Sequence, residues 1–184
     1  MSRRDALLDR VTDHVLQHGL IGLTLRPLAA AIGTSDRMLL YHFGSRDELV
    51  TAVVARTSDR TVAAIDALPA QPDVWAGISR LWEAFLTQPM HGCVDIYCQA
   101  AASGLIDHEP YRSAVRGSNQ RWTDALESYL MRCGAPPERV ARIVTLVYAA
   151  LFGFHLDLAT DNPEELARGV EDLAAAAQAL AQDV

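Results

Sequence analysis

The chain contains no lysine: all 16 of its basic residues are arginine, set against 23 acids and a formal net charge of −7. Its three cysteines, Cys93, Cys98 and Cys133, are too few for a disulfide framework, and an odd count excludes complete pairing. No stretch alternates apolar and polar residues as a half-buried strand does, which excludes a sheet. No tract is of low complexity and no segment repeats. The longest apolar run, between Arg142 and His155, is shorter than the roughly 20 residues that cross a bilayer. Arg3, Arg4, Asp5, Asp9 and Arg10 occupy the start, where a signal peptide would carry an apolar stretch. A soluble, cytoplasmic chain with no membrane partner is expected. There is no G-x-S-x-G elbow, no Walker loop and no dinucleotide fingerprint, so no cofactor is expected either.

What is there favours helix. Half of the 184 residues are apolar, enough for one or two domains with a real core. Alanine is abundant and aromatics make up only 7%. About nine helices are predicted, an all-α fold. The first covers Arg4–His18, with Leu8, Val11 and Val15 on one stripe and Gly19 as its stop. Thr24 can cap a second helix bearing Leu25, Leu28, Ala29 and Ile32 at positions 0, 3, 4 and 7, and Gly33 ends it. Ser35 or Asp36 caps a third, which reaches Phe43 before Gly44 breaks it. Ser45 and Glu48 form a capping box that opens a fourth helix, ending near Leu68. Five more are expected: 73–88, 91–103 with Gly104 as its stop, one from after Asp107 to Gly134, Pro136 to Thr160, and one from Asn162 into "LAAAAQALAQDV". A domain boundary is expected near residue 46, giving domains 1–46 and 47–184.

Charge is not spread evenly along the chain. Residues 1–60 carry eight arginines against seven acids, while the remainder carries eight against sixteen. A polyanion would be repelled by the acidic part, so any nucleic-acid contact falls in the first 60 residues. The stretch "TSDRMLLYHFGSRDEL" sits there. Wound at about 100° per residue, Leu39, Leu40 and Phe43 gather on one side and Arg37, Met38, Tyr41 and His42 on the other. The turn of three to four residues before it matches a helix-turn-helix, whose second helix enters the major groove. Arg37 can bond guanine O6 and N7, and Tyr41 and His42 can reach phosphate or a thymine methyl. Arg26 and Arg46 flank the helix as phosphate contacts, with Ser35, Asp36 and Met38 completing the expected surface. Asp36 either accepts from cytosine N4 or only caps the helix.

Residues 24–50, "TLRPLAAAIGTSDRMLLYHFGSRDELV", closely resemble the DNA-binding motif of the TetR family of transcriptional regulators. Thr24, Leu28, Ala29, Gly33, Ser35, Leu39, Tyr41, His42, Phe43, Ser45, Arg46 and Leu49 carry the likeness. Leu40, Met38 and Leu25 depart from it, which suggests fewer phosphate contacts and a different operator. The resemblance implies a ligand-responsive regulator, by habit a repressor. It implies a homodimer on a palindromic double-stranded DNA operator, released by a small-molecule effector held in a C-terminal helical ligand-binding and dimerisation domain. It implies no enzyme.

The C-terminal sequence is compatible with that reading. "IVTLVYAALFGF", residues 143–154, is apolar nearly all round, as a helix buried in a core and against a partner would be. The last helix has Leu166, Val170, Leu173, Ala177 and Leu180 on one stripe. The dimer interface is expected on these two helices. Trp82, Phe85, Met90, Tyr97, Trp122, Tyr129, Tyr148 and Phe152 are the candidate pocket walls, each also an ordinary core residue. His91, Cys93 and Cys98 match no standard zinc spacing and lack a local fourth ligand, so buried thiols and no metal are expected. Two rival readings remain. One is a small helical enzyme using His91, Cys93 and Asp95; the other is an adaptor that binds protein through the 36–42 face.

Overall fold

A computed structural model describes residues 2–160 and 162–182. Asp183 and Val184, the end of the expected last helix, lie outside the described residues. Nine helices and no strand occur among the described residues: α1 Arg3–His18, α2 Leu25–Ala31, α3 Asp36–Phe43, α4 Arg46–Asp66, α5 Val74–Phe85, α6 Met90–Leu105, α7 Tyr111–Arg132, α8 Pro137–Asp157 and α9 Pro163–Gln182. The fold is all-α, with the helices in the order the sequence predicts.

The ends differ in instructive ways. The helix expected over 73–88 stops at Phe85. Gly104 does not stop α6, which continues to Leu105. A Cβ on Gly104 would lie 3.0 Å from the Arg112 Cα, so this glycine admits the backbone at the start of α7. Thr24 stands at the N-cap of α2, but its hydroxyl makes no capping bond. Ser2 and Asp5 form a complete capping box on α1, in addition to the caps expected from sequence.

The described residues fall into two compact units. The first holds the chain up to Thr61 and Gly92–Asn119. Its core takes Val11 and Val15 from α1, Leu28 from α2, Leu39 and Phe43 from α3, Leu49 and Val53 from α4, and Ile96 and Ala100 from α6. Asp5, Asp9 and Asp13 line one face of α1 at four-residue spacing. Arg56 of α4 bridges Asp5 and Asp9 at 3.6 and 3.2 Å, and Arg60 bridges Asp9 and Asp13 at 3.3 and 2.7 Å. This ladder fixes the rotation of α1 against α4. The Gln99 side chain accepts from the N–H groups of Leu20 and Ile21, securing the turn after α1.

The second unit holds Val62–His91 and the chain from Gln120 onward. Here α9 packs on α5 and α8 through Leu166, Val170, Leu173, Ala174 and Ala177. The two alanines are completely buried, so neighbouring backbones approach closely. By length and composition alone α8 is apolar enough to cross a bilayer, a test that a core helix also passes. Its Val140, Ile143, Val144, Val147 and Leu151 are buried in this unit's core. The guanidinium of Arg132 donates to the carbonyls of Ile65, Asp66 and Leu68, closing the C-terminal end of α4.

Candidate nucleic-acid interface

The turn between α2 and α3 is built from backbone bonds. The Thr34 N–H donates to the Ala29 carbonyl at 2.8 Å, and Ser35 Oγ accepts from the Met38 N–H at 3.2 Å. Asp36 Oδ1 accepts from the Arg37 N–H at 2.9 Å, a local bond in the first turn. Leu39 and Phe43 are then turned inward, 1% and 5% exposed. Arg4 of α1 fixes the far end: its Nε donates to the His42 carbonyl at 3.2 Å, and its guanidinium lies 5.1 Å from the centre of the Phe43 ring. Sequence reasoning misses Arg4, because a contact between residues 38 apart leaves no local spacing.

The opposite side is open. Tyr41 is 78% exposed and Met38 41%. Ser35, Asp36 and Arg37 are exposed, as is Arg26 in the first turn of α2. His42 is half-buried, its ring edge-on to Tyr41 with centroids 5.1 Å apart. One expectation is corrected: Leu40 is 43% exposed and is not part of the buried side. On a helical wheel it lies about 80° from the midline between Leu39 and Phe43, too far to reach the core. It therefore adds an apolar contact to the exposed face.

Gly44 closes α3 with φ +79° and ψ −61°. The Ser45 N–H donates to the Phe43 carbonyl at 3.0 Å, so Phe43, Gly44 and Ser45 form the strained form of γ-turn. Ser45 Oγ accepts from the Glu48 N–H at 3.1 Å and meets Glu48 Oε2 at 3.3 Å. The capping box expected here is thus only half made, because the Ser45 N–H serves the turn.

Arg46, expected as a phosphate contact, has partners inside the protein. Its Nε donates to the Leu23 carbonyl at 2.8 Å, one Nη to the Tyr111 hydroxyl at 3.0 Å, and the other to Asp47 at 3.1 Å. Partial burial opposes its charge, but Tyr111 and Asp47 outweigh that and hold its pKa above the usual arginine value. The guanidinium is engaged within the protein. With Asp5, Asp9, Asp13 and Asp47 set against Arg56, Arg60 and Arg46, the other charges of residues 2–60 are Arg3, Arg4, Arg10, Arg26 and Arg37 against Asp36, Asp59 and Glu48. The ladder thus offsets three of the acids and Arg46 a fourth, leaving five arginines against three acids in the rest of residues 2–60.

The candidate pocket residues are brought together only in part. In the second unit Phe152 joins Tyr148, Trp122 and Phe85 at ring centroid distances of 4.7, 5.3 and 6.1 Å, and Trp82 lies 6.4 Å from Phe85. Phe154, His91 and His155 extend this cluster: Phe154 lies 6.2 Å from Trp82, His155 6.5 Å from Phe85, and His91 5.0 Å from His155. Met90 is buried, and the Tyr129 hydroxyl donates to the Gly77 carbonyl. Tyr97 belongs to the first unit, where its hydroxyl donates to Asn119. That unit also has a groove of about 400 Å³ lined by Ala101, Gly104, Leu105, Arg112, Val115 and Arg116, which none of the eight expected residues borders. Cys93, Cys98 and Cys133 are free thiols; burial, with Asp95 nearby, pushes Cys98 up to about 11, and burial raises Cys93.

The family model for bacterial regulatory proteins of the tetR family matches residues 14–53, from the end of α1 into α4. The HTH-type transcriptional regulator AlkX of Mycobacterium tuberculosis is 32% identical over 103 residues, which cover 56% of this chain and 44% of that protein. The chain thus aligns with less than half the length of this curated relative. A transcriptional regulator from Rhodococcus sp. Rha1 is similar over the whole of both chains, with a TM-score of 0.77 and 19% identity. The multidrug binding protein EbrR, solved with imidazole, is similar over 95% of this chain and 94% of its own, with a TM-score of 0.65 and 21% identity. At these identities the structural likeness concerns the fold.

Proposed function

We propose, from the premise that this chain belongs to the tetR family of bacterial regulatory proteins, that it is a DNA-binding transcriptional regulator, a repressor released from its operator by a small molecule. The observation that carries this reading is the orientation of α3. Leu39 and Phe43 hold it to the core, and Arg37, Met38 and Tyr41 stand outward beside Arg26. A face of cation, thioether and phenol on a short helix after a tight turn suits major-groove entry. Arg37 reads a guanine edge; Tyr41 and Arg26 contact the backbone.

One such helix makes too few contacts for a unique site. A homodimer on a palindrome reads two half-sites about 34–36 Å apart, or multiples of that. The faces of α8 and α9 left open in one chain suit this role: Thr145, Leu146 and Ala149, with Ala175, Ala176 and Ala179, are exposed, and most of them are small or apolar. The working division is residues 1–46 for DNA and 47–184 for effector and partner. The aromatic cluster around Phe152 supports an apolar effector site, and a ligand that prefers the wrong spacing of the two heads lowers DNA affinity by its differential binding. That EbrR was solved with imidazole lends this part support by likeness of fold.

A gel-shift with the DNA upstream of the chain's own gene tests the reading. Retardation that weakens steeply as salt rises is the expected result. Turnover of a small molecule without retardation would favour the enzyme, and capture of a protein through the 36–42 face would favour the adaptor.

A further inference from the structure

A single guanidinium ties together the two ends of the α2–turn–α3 segment. Leu23 lies two residues before α2, and Arg46 begins α4 three residues after α3 ends. Arg46 Nε donates to the Leu23 carbonyl at 2.8 Å, so the entry and exit of the motif are clamped at one point. The clamp is itself held from α7: the Tyr111 hydroxyl accepts from an Arg46 Nη at 3.0 Å, and Tyr111 is only 7% exposed. Two acceptors in two directions match a planar fork and do not match a compact ammonium. With Asp47 on the remaining Nη, each nitrogen of the guanidinium has an internal partner.

We propose that Arg46 and Tyr111 are positioning residues for DNA recognition, setting the angle of the reading helix from inside the protein, and that Arg46 is not a phosphate contact. This rests on the DNA-binding reading above. The two roles differ in a measurable way. A phosphate contact releases a counterion, so its loss lowers the slope of log K against log salt by about one. A positioning bond changes affinity and leaves that slope alone. A phosphate contact also tolerates lysine, whereas the clamp does not.

The test uses the full chain and its upstream DNA in gel-shifts at several salt concentrations, with Tyr111→Phe, Arg46→Lys, Arg46→Ala and the Tyr111→Phe/Arg46→Lys pair. Tyr111→Phe keeps the buried ring and is expected to fold, as circular dichroism would report. Tyr111→Phe and Arg46→Lys should each lower affinity roughly three- to tenfold, the loss of one or two such bonds. The pair should be no weaker than the weaker single variant, because both break one linkage. All slopes should equal that of the wild type. Wild-type affinity in Arg46→Lys or in folded Tyr111→Phe, additive losses in the pair, or a slope reduced by about one in Arg46→Ala overturns the proposal while leaving the regulator reading intact. A folded wild type that retards no DNA overturns both.

Discussion

Replacing Gly44 by alanine should unsettle the molecule more than any other single methyl added near α3. Gly44 sits at φ +79° and ψ −61°, a region L-residues avoid, which costs about 1–3 kcal/mol. The new Cβ would also collide with Glu48 Oε2, the mobile tip of a side chain. Glu48 can swing away, but only by leaving the Ser45 hydroxyl, a contact worth about 0.5–1.5 kcal/mol at most. The usual entropic gain of alanine over glycine does not apply where the backbone conformation is incompatible. The total is about 1.5–4.5 kcal/mol. For a chain of this size that corresponds to roughly 3–18 °C in melting temperature. Gly117, inside α7 with nothing within 4 Å of the place a Cβ would take, is the control. Its replacement by alanine should stabilise by about 0.5–1 kcal/mol. Thermal melts followed by far-ultraviolet circular dichroism give both values. If Gly44→Ala melts no lower than the wild type while Gly117→Ala behaves as expected, the γ-turn is not how the chain leaves α3.

Three further outcomes follow from the same geometry. Leu39→Ala should cost about 2–5 kcal/mol in urea unfolding, whereas Tyr41→Ala should stay within about 0.5 kcal/mol of wild type and lose DNA affinity; the reverse pattern would mean that the faces of α3 are misassigned. Bonds from Ser2, with smaller help from Arg56 and Arg4, hold the Asp5 carboxyl below its ordinary 3.8, so this cap stabilises α1 above that pH and is lost as pH falls through the lower folded value; amide exchange at the start of α1 should accelerate only there. Cys98, pushed up to about 11, and the buried Cys93 should resist alkylation near pH 8 in the native state and react once unfolded.

Local order is legible in the sequence, because caps, glycines and apolar periods are local signals. Helix α3 is readable down to its cap, Ser35 or Asp36 by sequence and Ser35 in the structure, and its exit at Gly44. Its inner face reads one residue too wide, since Leu40 lies at the edge of the arc where a wheel cannot decide burial. The internal partners of Arg46, Leu23 and Tyr111, are hidden from the sequence because they lie 23 and 65 residues away. The same kind of distance hides Arg4 behind His42 and Gln99 behind Leu20. The aromatic cluster is legible in part: Trp82, Phe85, Trp122, Tyr148 and Phe152 stand out by type, while His91, Phe154 and His155 join through packing that no spacing encodes. Gly104 shows the limit of punctuation, because a residue that reads as a stop serves close approach instead.

The most direct test of the central claim is selection of bound duplexes from a random pool, run in parallel with the wild type and with Arg37→Ala. If the outward face of α3 reads bases, the wild type enriches an inverted repeat. Arg37→Ala then loses its preference at one symmetric pair of positions, at a cost of about 1–3 kcal/mol per recognised base. The same motif recovered by both proteins, or no motif from a folded wild type, would contradict the account.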